Sequence, residues 1–130
     1  MTSKEKDLLL KDLCARLPYG VNCEVFNGKY NEDMKLSPSI LSFGVENIKL
    51  YLRPMSSMTE EEKTEFVGFI NWIFDCDYQA NTLKELLNGN EIETDLIVEL
   101  FDWLNEHHLD YRGLIPMGLA LPAQEGMYKF

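Results

Sequence analysis

A chain of 130 residues, 45% hydrophobic and 12% aromatic, carries enough apolar side chain for one packed core and too much for a disordered segment. Its net charge of −10 comes from residues 56–130, which carry −11 against +1 over residues 1–55, and between Asp75 and Asp110 the sole basic residue is Lys84. Such a surface repels phosphate backbones and disfavours generic nucleic-acid binding; the charge reads first as a solubilising surface and, more sharply, as an acidic face for a protein partner with a basic surface.

The first predicted element is a helix over 3–17. Thr2 and Glu5 stand at capping-box spacing. Leu9, Leu13 and Leu17 recur every four residues, with Leu10 and Cys14 beside them, as one apolar stripe. Pro18 and Gly20 stop it. Val21 to Phe26 then alternates, with Val21, Cys23 and Val25 on one side and Asn22 and Glu24 on the other. Asn27-Gly28 signals a two-residue type I′ hairpin turn, so the return strand is expected from Lys29, interrupted or exposed at Glu32-Asp33 and resumed over 34–36. Ile40 to Phe43 reads as a third strand after the Ser37-Pro38-Ser39 break. Residues 45–53 fit either a strand (Ile48, Leu50, Leu52) or a helical turn, and Pro54 ends them in both cases.

A second capping box, Thr59 with Glu62, opens a helix over 59–74 whose apolar face is Phe66, Phe69, Ile70, Ile73 and Phe74. A loop (77–81), a short helix (82–87) and an Asn88-Gly89-Asn90 stop follow. Thr94 caps a further helix to about His107, lined by Leu96, Ile97, Leu100, Phe101 and Leu104. Residues 109–130, rich in Gly and Pro, are expected to run irregularly across the core. The fold class is therefore α+β. It comprises an N-terminal helix, a small antiparallel meander, two longer helices and an irregular C-terminal segment, in a single domain spanning 1–130.

Three segments carry a resemblance. They are Tyr51-Leu-Arg-Pro-Met-Ser-Ser-Met-Thr-Glu-Glu-Glu62, the stretch from Trp103 to Leu121 followed by Glu125-Gly-Met-Tyr128, and Asp12 to Val21. Together they resemble a family of short uncharacterised proteins from human gut bacteria and their phages or prophages. The resemblance implies a mobile-element setting. It implies no reaction, and no site residue comes with it.

Cys14, Cys23 and Cys76 are odd in number and form no CxxC pair, which argues against a disulfide framework or a thiolate zinc site. Cys14 and Cys23 read as core. The first apolar run, Leu8 to Leu10, is far too short for a signal segment or a membrane span. A reducing, cytoplasmic setting without membrane attachment is expected.

The sequence contains no HExxH, GxSxG, GxGxxG or Walker pattern and no EF-hand spacing, and no cofactor is expected. The most polar cluster runs from Glu106 to Arg112. His107, His108 and Asp110 are its candidate metal ligands. However, consecutive side chains on a helix diverge by about 100°, so the two histidines share an ion only where the helix has ended. The structural alternative places both histidines at a helix C-terminus, where they complement the dipole, with Asp110 bridged to Arg112 and Tyr111 beside them. Glu93, Glu99, Asp102 and Trp103 mark a candidate partner face, with Trp103 either an exposed anchor or core. The leading functional expectation is a non-enzymatic, protein-binding accessory domain. The alternative is a small metal-binding protein or enzyme centred on 107–112, and a third, an acidic nucleic-acid mimic, requires carboxylates in rows.

Overall fold

The computed structural model describes residues 1–76 and 94–128, with side chains over 1–71 and 98–128. The expected loop and short helix between 77 and 90, and Glu93, lie outside the described residues. Contacts divide the chain into two compact units: Met1–Met55 with Leu104–Phe130, and Ser56–Trp103.

In the first unit, α1 spans Ser3–Arg16 and opens on the expected capping box. The Thr2 hydroxyl accepts from the Glu5 N–H at 3.1 Å, and the Glu5 carboxylate accepts from the Thr2 N–H at 2.9 Å. Its buried face is Leu9, Asp12, Leu13 and Arg16, the i, i+3, i+4, i+7 set of one helical side. The expected stripe included Leu10 and Cys14. Both are exposed, because the helix turns its Asp12–Arg16 edge inward.

Strands β1 (Asn22–Phe26) and β2 (Asn31–Lys35) form the expected hairpin. Its turn is longer than predicted. Gly28 has φ 98° but Asn27 does not have positive φ, so type I′ geometry is not met. Instead the Asn27 carboxamide oxygen accepts from the N–H groups of Lys29 and Tyr30, an Asx-type closure that delays the return strand to Asn31. The predicted third strand at Ile40–Phe43 is a 3₁₀ helix over Pro38–Phe43. Pro38 sits at its start, and the Ser42 hydroxyl donates back to the Ser39 carbonyl. The ambiguous segment resolves into a 3₁₀ turn, Val45–Asn47, and then β3, Ile48–Leu52.

The sheet has four strands in the order β2-β1-β3-β4. β4 is Ala120–Pro122, within the segment expected to be irregular. It runs parallel to β3, so the sheet is mixed rather than a purely antiparallel meander. The first unit's core is the inward face of this sheet (Cys23, Val25, Ile48, Leu50, Leu52, Ala120) against Leu9 and Leu13 of α1. Leu36, Ile40, Leu114 and Leu119 close it. Burying each such leucine or isoleucine contributes about 1.5–3 kcal/mol. On the outward face, Glu24 and Asp33 are directly opposite. The Tyr51 hydroxyl lies between them, donating to Asp33 at 2.8 Å and standing 3.5 Å from Glu24. Burial and the two carboxylates push that phenol far above its ordinary pKa.

In the second unit, α2 spans Glu60–Cys76 and α3 begins at Thr94, running to Glu106. The predicted capping box of α2 is present, with Glu62 accepting from the Thr59 N–H at 2.8 Å and Thr59 accepting from the Glu62 N–H at 3.2 Å. Trp103 joins the two helices. Its ring centroid lies 6.2 Å from that of Phe66 and 6.1 Å from that of Phe69, and its indole N–H donates to Glu65 at 2.7 Å. Among the described residues no helix is long and apolar enough to cross a membrane.

Candidate functional site

The predicted cluster begins where α3 ends. The Leu109 N–H bonds to the Leu104 carbonyl and the His108 N–H to that of Asn105. This pair is a Schellman motif, with His108 at the left-handed position that glycine ordinarily fills. His108 has φ 58°, the one positive φ outside glycine among the described residues. A histidine there costs on the order of 1 kcal/mol. Leu104 and Leu109, both fully buried, supply the apolar contact that accompanies the motif.

Beyond the cap, the chain runs beside the end of β3. The Arg53 N–H donates to the His108 carbonyl at 2.8 Å, the Asp110 N–H donates to the Arg53 carbonyl at 2.8 Å, and the Arg53 guanidinium reaches the His107 carbonyl at 3.2 Å. Successive strand residues direct their backbone groups to opposite edges. The Leu52 carbonyl therefore serves the β4 side, through Ala123, while Arg53 serves His108 and Asp110 on the other.

Asp110 does not bridge to Arg112, contrary to expectation. Its two carboxylate oxygens accept from the N–H groups of Leu114 and Ile115, at 2.8 and 3.0 Å. Arg112 instead donates through Nε to Asp12 at 3.1 Å. Asp12 also takes Nε of Arg16 at 2.8 Å, and Nη2 of Arg16 donates to the Leu109 carbonyl at 2.7 Å. Asp12 and Arg16 are wholly buried. Nη1 of Arg16 is buried and makes no hydrogen bond among the described residues. Both guanidiniums lie over the Tyr111 ring, 5.0 and 5.1 Å from its centroid, close enough for cation–π attraction. The Tyr111 hydroxyl donates to the Asn105 carboxamide at 2.9 Å.

The His108 ring is buried and stacks on Tyr128, centroids 4.0 Å apart and planes 27° apart. Burial, then the charges of Arg16, Arg53 and His107, lower its pKa to about 4, so the imidazole is neutral at pH 7. Tyr128 in turn donates its hydroxyl to the Tyr51 carbonyl at 2.7 Å and accepts from the Asn22 N–H at 2.8 Å. Burial raises that phenol to about 12.

Of the predicted site residues, Asp110, Tyr111 and Arg112 each turn to a different internal partner: Leu114 and Ile115, Asn105, and Asp12. His107 is half-buried and Glu106 exposed, while His108 faces Tyr128. Among the described residues no three His, Cys, Asp or Glu side chains are disposed to hold a metal ion. Glu99 and Asp102 are exposed on α3. Trp103 is 8% exposed and belongs to the α2–α3 packing rather than to a surface. A concavity of about 170 Å³ elsewhere, lined by Glu24, Phe26, Asn31, Glu46, Asn47 and Lys49, shares no residue with the cluster. Sequence reasoning missed Asp12, Arg16 and Tyr128. The signal for the first two was their i, i+4 spacing in phase with Leu9 and Leu13. For Tyr128 there was none beyond its place in the resembling segment.

No protein-family model matches the chain, and no curated protein or solved structure matches it significantly.

Proposed function

We propose that this is a non-enzymatic, protein-binding accessory domain of a phage or other mobile element. The observation that carries the reading is the internal commitment of the most polar cluster. Asp110 caps a turn, Arg112 and Arg16 are held by Asp12, and Tyr111 bonds to Asn105. The groups best suited to chemistry are thus used to join α1, the end of α3 and the C-terminal segment. The mobile-element setting rests on the resemblance of residues 51–62, 103–121 with 125–128, and 12–21. A partner with a basic surface suits the negative charge of residues 56–130 and the exposed carboxylates Glu99 and Asp102.

The test is affinity capture from a bacterial host lysate with the intact chain, followed by titration of the purified partner. A partner that binds saturably, weakens with added salt and is lost with Glu99→Lys and Asp102→Lys supports the reading. Absence of saturable binding to any captured protein rejects it. Binding indifferent to both salt and the charge reversals rejects the acidic face.

A further inference from the structure

We infer that residues 123–128 form a strap that opens as a unit from the seam between β1 and β3, with the His108 ring as its latch. The inference starts from the ladder. Cys23 is opposite Leu50 in the β1–β3 register, which places Asn22 beside Tyr51 at the end where the strands separate. There the Tyr128 hydroxyl stands between them, accepting from the Asn22 N–H and donating to the Tyr51 carbonyl. A side chain from the far end of the sequence thus occupies the place of a ladder hydrogen bond. Two residues further along, Arg53 is taken over by His108 and Asp110.

The rest of the strap holds on loosely. The Ala123 N–H bonds to the Leu52 carbonyl, and beyond it no backbone group of residues 124–128 bonds to the sheet among the described residues. The Met127 N–H turns back on Gln124. Gln124, Glu125 and Gly126 are exposed, and Gly126, at φ 76°, makes the turn that returns Tyr128 to the seam. Tyr128 is the strap's hook. The hook rests on the ring of His108, a residue held in the left-handed backbone region where a glycine would cap α3 without strain. The strained histidine therefore gives the strap a ring to close upon, which a glycine lacks. Opening the strap breaks a few hydrogen bonds beyond β4 and withdraws Tyr128 from the edge of the core cluster, while the fully buried residues stay packed, the pattern of a low-stability cooperative segment. It uncovers one backbone donor and one acceptor facing each other across the seam. His108 is a positioning residue in this device.

Native-state hydrogen exchange by NMR on the full chain, at neutral pH and increasing sub-denaturing urea, tests it. The Asn22 and Ala123 amides are expected to exchange at least tenfold faster than the Arg53 and Leu114 amides, after correction for intrinsic rates, and independently of urea. Tyr128→Phe, which removes only the hydroxyl, is expected to speed Asn22 exchange about tenfold further and leave Leu114 unchanged. His108→Asn, which removes the ring but tolerates left-handed backbone, is expected to do the same. The idea is overturned if Asn22 and Ala123 share the protection and urea dependence of Leu114 in the unaltered protein. It is equally overturned if either substitution raises all four amides together. The unaltered protein decides the matter alone should a variant fail to fold.

Discussion

Arg16 donates through Nε to Asp12, one helical turn earlier on α1, at 2.8 Å, and neither side chain reaches solvent. A buried ion pair gains little net stability over well-packed apolar residues, because both charges must leave water. Breaking one is another matter. Asp12 here serves two guanidiniums, Arg16 from its own helix and Arg112 from a segment 100 residues later in the chain. It joins α1 to the segment following α3.

Asp12→Ala leaves two positive charges over one tyrosine ring with no carboxylate between them. The expected loss is about 3–5 kcal/mol of unfolding free energy in urea. Arg112→Ala, which strips only the partly exposed partner and leaves the Asp12–Arg16 pair closed, is expected to cost less, on the order of 1 kcal/mol. Equal losses would show that Arg16 and Arg112 share Asp12 on the same terms, contrary to their difference in burial.

Asp110 spends both carboxylate oxygens on the N–H groups of Leu114 and Ile115, one of them buried. Asp110→Ala strands the Leu114 N–H and should cost about 1–3 kcal/mol. Asp110→Asn keeps one acceptor oxygen and should recover part of that. A thermal melt of the three proteins ranks them. If Asn and Ala melt together, the carboxylate was not capping the turn.

The sheet's inward residues were legible because strand alternation has period two. Val21, Cys23 and Val25 were expected on one side and are all fully buried. Both capping boxes were legible because their hydrogen bonds close within four residues. The hairpin turn and the 38–43 segment departed for local reasons, whereas β4 and the partner of Arg112 were decided by a distant segment. Ile40–Phe43 has strand-like composition, yet Pro38 starts a 3₁₀ turn there and β3 takes the place beside β1. Ala120–Pro122 carries no strand signal and pairs only because β3 offers it an edge. Sequence proximity pairs Asp110 with Arg112, whereas the partner of Arg112 stands 100 positions away.

Cys14 and Cys23 were both expected in the core, and their reactivity should now differ. Cys23 is fully buried, and burial followed by the nearby Asp33 carboxylate raises its thiol to about 11. Thiolate is the reactive form. Cys14 is exposed on α1. Brief alkylation of the native protein at pH 8, mapped by peptide mass spectrometry, should label Cys14 and leave Cys23 unmodified until denaturant is added. Label on native Cys23 would mean that the β1 region opens far more readily than its packing implies.

Stability should also carry the signature of a buried neutral histidine. His108 has a pKa of about 4 in the folded chain against an ordinary 6.5, owing first to burial and then to the charges of Arg16, Arg53 and His107. Between those values the unfolded chain binds a proton that the folded chain refuses, so protonation draws the equilibrium toward unfolding. The contribution is intact above pH 6.5, is lost progressively as pH falls toward 4, and changes no further below that. With roughly 1.4 kcal/mol per pH unit, the whole window from 6.5 to about 4 amounts to at most roughly 3–4 kcal/mol. The carboxylates titrate over part of the same range, but they do so in both proteins of a matched pair and largely cancel. The difference in urea-unfolding free energy between the unaltered chain and His108→Asn should therefore shift in favour of the variant as pH falls from 6.5 to 4. A difference that stays level across that window would place the His108 ring in water rather than against Tyr128.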